Sequence, residues 1–203
     1  MQALRYLALG DSYTIGEAVP ASERWPEQLA TGLRATGRAV SVDVVATTGW
    51  TTDELDAGLN AALAAGQVAG GYDLVSLLIG VNNQYRGRDV AAYAGEFEAL
   101  LQRAIGLAGG RAERVFVVSI PDWGATPFAA NRDTAQIARE IDAYNAAHVA
   151  VAAAAGVVDV DITDISRERA ELVAEDGLHP SGMMYRLWAD RLLPVVNGLL
   201  AAG

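Results

Sequence analysis

The sequence predicts an α/β fold, a flavodoxin-like three-layer sandwich with a five-stranded parallel sheet in the order 2-1-3-4-5 and helices on both faces. Three observations carry this prediction. Short apolar segments alternate with longer segments of helical spacing along the whole chain. Four of the five short segments are rich in β-branched residues, as strands buried on both faces are. Neither an internal repeat nor a low-complexity linker interrupts the 203 residues, so residues 1–203 read as one domain.

The first strand, Leu4–Leu9, runs straight into Gly10-Asp11-Ser12. A helix is expected over Trp25–Ala35, then a strand over Val40–Ala46 that ends at Thr47-Thr48-Gly49. Helical spacing resumes over Asp53–Gln67. The pair Gly70-Gly71 marks a turn before the third strand, Asp73–Ile79, which is followed by Gly80-Val81-Asn82. A helix over Ala91–Leu107 and a turn at Gly109-Gly110 precede the fourth strand, Arg114–Ile120. A long helix over Asp133–Ala155 leads to the fifth strand, Val157–Asp161. Asp176-Gly177-Leu178-His179 stands before a last helix over Ser181–Leu193, which Pro194 is expected to kink or end. Right-handed crossovers prune the topologies, and ligands of such a sheet bind beyond the C-terminal strand ends, at the switch point between strands 1 and 3.

Composition excludes whole classes of chemistry. There is no Cys, which removes thiol nucleophiles, disulfides and cysteine metal sites. All 15 basic residues are Arg, which removes Schiff-base catalysis and the P-loop lysine. Only His148 and His179 can serve as an imidazole base. A net charge of −10 with no basic run disfavours nucleic acid and anionic bilayers as partners. No stretch reads as a transmembrane span, and Ala146 to Val158 is too short for one. No signal-peptide pattern is visible at the N-terminus, so a cytoplasmic location is expected.

On this scaffold the polar blocks after strands 1, 2, 3 and 5 all fall on the C-terminal edge of the sheet. Ser12 in Gly10-Asp11-Ser12, Gly49, Asn82 in Gly80-Val81-Asn82, and His179 in Asp176-Gly177-Leu178-His179 occur in that order. These four blocks resemble those of the SGNH (GDSL-type) hydrolases, and the resemblance covers residues 10 to 180. Two positions depart from the family pattern. Tyr13 takes the fourth place of G-D-S-L, and Asn83 follows Asn82 where many members carry Asp.

The resemblance implies a serine esterase acting on a small-molecule carboxylic ester or thioester, without cofactor or metal. Ser12 is the expected nucleophile, His179 its base and Asp176 the carboxylate that orients the imidazole. Pro180 biases His179 away from helix, and Gly177 permits a bend that brings Asp176 to His179. The backbone N–H groups of Ser12 and Gly49 and the side-chain amide of Asn82 are the implied oxyanion donors. Ser12 is not in a G-x-S-x-G elbow, because Thr14 stands at the second glycine position. His148, in the middle of a long helix, is expected to be structural, and Asp11 to accept from loop N–H groups. Trp50, Tyr85, Trp123 and Phe128 lie in rim loops, either as substrate contacts or as caps on the core. Arg86 and Arg88 read as a solvated loop or, less simply, as an anion contact. An acyltransferase using the same site is compatible with these residues. A flavodoxin-like binding module is a further reading, against which stands the lack of a Gly-rich phosphate loop after strand 1.

Overall fold

The computed structural model describes residues 3–201. Its sheet has five parallel strands in the order β2-β1-β3-β4-β5: β1 Leu4–Gly10, β2 Val40–Ala46, β3 Leu74–Leu78, β4 Val115–Val118 and β5 Val158–Val160. Eight α-helices accompany it among the described residues: α1 Ser12–Ile15, α2 Trp25–Ala35, α3 Thr52–Ala64, α4 Val81–Tyr85, α5 Val90–Leu107, α6 Thr134–Ala154, α7 Thr163–Glu168 and α8 Gly182–Ala201.

Strand order dictates where the helices go. From β1 the chain steps one way to β2 and from there always the other way, so right-handed crossovers put α2 on one face and α3, α5 and α6 on the opposite face. The packing agrees, with α2 against α8 and α5 against both α3 and α6. The central strands are apolar throughout. Leu7, Leu9, Leu74, Val75, Leu77, Val115 and Val117 are fully buried, as covering on both faces requires. None of the described helices is long and apolar enough to cross a membrane.

Register sets the level of the site. Gly10 at the end of β1 pairs with Ala46 on one side and Leu78 on the other. The segments that leave β1, β2 and β3 therefore start side by side. A Cβ on Gly10 would collide with the Thr14 side chain and the Leu78 carbonyl, so the turn into α1 closes only with glycine there.

The strands are shorter than the apolar runs suggest, because polar side chains take over the backbone at their ends. Arg114 belongs to a 3₁₀ turn, Ala112–Arg114. After β4, Ser119 Oγ accepts from the N–H of Ile162, and Asp161 Oδ1 accepts from that of Thr163, both at 2.8 Å. The short helices α1, α4 and α7 follow strands directly, in segments too brief to show helical periodicity in the sequence.

Pro194 does not end the last helix: α8 continues through it to Ala201. The ring sits on the exposed side, where water can reach the carbonyl left without a donor. Leu192 and Val196 on either side are fully buried and hold the axis in place. Tertiary burial outweighs the local cost here. Since an interior proline costs a helix about 3 kcal/mol relative to alanine, Pro194→Ala should raise stability by a sizeable part of that figure. An upward shift of the urea midpoint at constant m-value is the expected result.

Candidate active site

The segment between Leu172 and Ser181 is pinned as a narrow loop. Val173 and Pro180 form an antiparallel bridge, the Ala174 N–H donates to the His179 carbonyl at 2.7 Å, and the Ser181 N–H donates to the Leu172 carbonyl at 3.0 Å. Asp176-Gly177 turns at its tip with Gly177 at φ +70°, a backbone that a side chain would strain. The turn brings Asp176 back onto His179. Asp176 Oδ1 accepts from the N–H groups of Leu178 and His179 at 2.9 Å, and Oδ2 lies 2.6 Å from His179 Nδ1. Burial alone would raise the Asp176 pKa. The hydrogen bonds from the His179 ring and the two N–H groups, with the attraction of the imidazole, hold it below the usual carboxylate value. A carboxylate only accepts, so Nδ1 carries a proton, and in the neutral ring the lone pair is that of Nε2.

His179 faces a cleft of about 240 Å³ at the C-terminal edge of the sheet. Ser12, Gly49 and Asn82 line the same cleft. No hydrogen bond joins Ser12 Oγ to His179 among the described residues; such bonds often tighten only when substrate is present. Ser12 is the first residue of α1, with Asp11 as its N-cap. Gly49 adopts φ +87°, in the left-handed region, and its carbonyl accepts from Arg86 Nη2 at 2.7 Å. Asn82 Nδ2 donates one hydrogen to the Trp50 carbonyl at 2.9 Å, which leaves its second N–H uncommitted.

The remaining expected residues divide. Tyr85, Trp123 and Phe128 line the cleft. Trp50 does not; its ring packs into the notch over Gly58 on α3, where a Cβ would collide with it. Arg86 also pairs with Glu54, and Arg88 with Asp53, so both guanidinium groups are occupied by neighbouring acceptors. His148 is fully buried away from the cleft. Its ring stacks on Phe97 and lies within 3.3 Å of the Tyr93 hydroxyl and 3.1 Å of Asp159.

Several participants escape a reading of the sequence. Tyr13, the departure from G-D-S-L, packs edge-on against the His179 ring at 5.9 Å and is backed by Trp188. Asn83, the other departure, is fully buried. It accepts from the Thr52 N–H at 3.1 Å and donates to Thr52 Oγ1 at 2.6 Å. Val81 and Leu178 complete the apolar wall. Their adjacency to motif residues was the available signal. Among the described residues, no three His, Asp or Glu side chains are grouped to hold a metal ion.

Over residues 8–187 the chain matches the GDSL-like lipase/acylhydrolase family. None of the curated proteins matches it in sequence. Among solved structures it is similar to TesA, at 22% identity and a TM-score of 0.73 over 96% of this chain and 99% of that one. It is also similar to the psychrotrophic esterase EstA from Pseudoalteromonas sp., at 17% identity and 0.73 over 98% and 99%. A third likeness is to the acetylxylan esterase Axe2 from Geobacillus stearothermophilus, at 18% and 0.72 over 95% and 93%. At these identities the likeness is one of fold.

Asp11 is fully buried beside Ser12. Its Oδ1 accepts from the Tyr13 N–H at 3.0 Å, and Oδ2 has no partner among the described residues. Burial pushes its pKa from 3.8 up to about 7, against the opposing pull of the Tyr13 N–H. In the unfolded chain this carboxyl ionises near its ordinary value, while in the folded chain it keeps its proton to higher pH. Its contribution to stability is therefore full below about 4 and is lost as pH rises towards about 7. Asp11→Asn should lessen that decline, so the stability difference between variant and parent should grow in the variant's favour across the window. Urea unfolding at closely spaced pH values measures it, and a difference that stays constant would show that Asp11 ionises normally.

Proposed function

This chain belongs to the GDSL-like lipase/acylhydrolase family, and we propose from that premise that it cleaves carboxylic esters or thioesters through an acyl-Ser12 intermediate. The observation that carries the reading is the 2.6 Å contact between Asp176 Oδ2 and His179 Nδ1, which leaves Nε2 free in a cleft shared with Ser12.

Ser12 Oγ attacks the substrate carbonyl carbon as His179 Nε2 takes its proton. Asp176 holds the ring in the tautomer that makes Nε2 basic, and its charge stabilises the imidazolium. The carbonyl oxygen becomes an oxyanion. The backbone N–H groups of Ser12 and Gly49 and the uncommitted N–H of Asn82 donate to it. Collapse of the tetrahedral species breaks the bond to the alcohol or thiol, which leaves with the proton from His179. Water then attacks the acyl-serine with His179 again as base. The carboxylic acid departs, and Ser12 regains its hydroxyl. Tyr85 and Trp123 contact the acyl group. No step calls for a metal or a cofactor.

A phosphonate or sulfonyl reagent should modify Ser12 and abolish hydrolysis of p-nitrophenyl esters. Peptide mapping locates the label, and inactivation with the label on another serine would defeat the assignment. Asn82→Ala removes a donor needed most by the oxyanion, so kcat should fall by about 10²- to 10³-fold with KM little changed. A change confined to KM would make Asn82 a residue that positions substrate.

A further inference from the structure

The three cleft aromatics differ in depth. Tyr85 is 50% exposed and Phe128 43%, whereas Trp123 is 5% exposed and makes the inner wall. Trp123 meets both of the others edge to face, at ring separations of 5.3 and 6.1 Å. What sets its ring is polar. Trp123 Nε1 donates to Gln84 Oε1 at 2.8 Å, and Gln84 Nε2 donates to Glu140 Oε2 at 2.6 Å. Glu140 is held in turn by Gln136 Nε2 at 2.7 Å.

The chemistry of this relay is directional. An indole N–H only donates and a carboxylate only accepts. A side chain that bridges them must accept at one end and donate at the other, which an amide does and a carboxylate cannot. Gln84 is itself buried, so rotating the indole away would strand a polar group that water cannot reach. The inner wall is thus fixed in one orientation.

We infer that Gln84 is a specificity-determining positioning residue, which locks Trp123 as the end wall of the acyl pocket and restricts the enzyme to esters of compact apolar acids, aromatic or of medium chain length. The inference rests on the ester hydrolysis proposed above. The wall is largely apolar, formed by Val81, Trp123, Phe128, Leu178 and the ring of Tyr85, so it favours an apolar acyl group over a hydroxylated one. A cavity of about 150 Å³ admits benzene. The 240 Å³ cleft, which Trp123 lines, accommodates somewhat more, and on this proposal a long straight chain would run against the Trp123 ring.

The test is kcat/KM for p-nitrophenyl acetate, butyrate, octanoate, benzoate and palmitate, with the leaving group held constant. The parent enzyme should favour butyrate, octanoate and benzoate over palmitate by at least about tenfold, the scale of discrimination that an apolar pocket achieves. Gln84→Met frees the indole and should narrow that ratio, while activity on acetate changes by less than about threefold, since a two-carbon acyl group does not reach the wall. Trp123→Phe keeps a ring but lacks the N–H, so it should narrow the ratio in the same way and serves if Gln84→Met does not fold. Trp123→Ala should move the optimum to longer chains. A parent that takes palmitate as well as octanoate, or variants that lower all five rates by one common factor, would overturn the inference while leaving ester hydrolysis intact. No turnover of any ester, or no reagent on Ser12, would defeat the proposed function itself.

Discussion

Gly49 and Asn82 leave different strands, and a sheet holds strands far more firmly than it holds the loops beyond them. The hydrogen bonds from α4 and the turn that follows it to residues 49–54 close that gap. Asn82 reaches the Trp50 carbonyl, Asn83 takes both the N–H and the hydroxyl of Thr52, Arg86 joins Gly49 to Glu54, and Arg88 grips Asp53. Of these, the Asn83 pair is fully buried, and a buried amide left without partners would cost about 1–3 kcal/mol. It also accounts for an amide where many family members carry Asp. Glu96 Oε2 lies 3.4 Å from Asn83 Nδ2, so a carboxylate at 83 would face another carboxylate and lose its donor to Thr52. On its other flank α4 carries Gln84, which reaches Trp123. One short helix thus ties the loop after β2 to the loop after β4.

The loop after β4 continues the linkage. Asp122 is buried at its start, with Oδ1 accepting from Gly124 N–H at 2.9 Å and Oδ2 from Arg167 Nε at 2.8 Å. Further on, the Phe128 N–H donates to the Gly177 carbonyl at 3.0 Å. The aromatic wall of the cleft and the turn that carries Asp176 and His179 are therefore braced against each other through backbone. Tyr13 completes the ring of supports by packing on His179 from the side of β1. Surface ion pairs such as Arg186 with Asp190 are worth about 0–1 kcal/mol each and have little part in this frame.

Much of this was legible in the residues themselves. Alternation of apolar and helical segments, with right-handed crossovers, narrowed the sheet to a few orders, of which the expected 2-1-3-4-5 is the one found, and gave the level at which the polar blocks emerge. The Asp176–His179 pairing was implied by the family resemblance, and Gly177 permits the bend through which the two side chains meet. Periodicity failed where elements are brief. The single turns α1, α4 and α7 are too short to show a repeat, and the path of α8 through Pro194 depends on burial on the far side of the helix.

By itself the sequence determined what a local rule can determine: which segments are strands, where glycine is required, and which side chains have acid–base chemistry to offer. Tertiary structure alone decided which neighbours each side chain meets. It turned Trp50 onto Gly58 and away from the cleft, placed Tyr13 against His179, and gave Gln84 an indole on one side and a carboxylate on the other. The reason is physical. Backbone preference acts over a few residues, whereas these contacts join residues up to 166 positions apart (Tyr13 and His179). They exist only once the sheet has set its register and the loops beyond its edge have packed together.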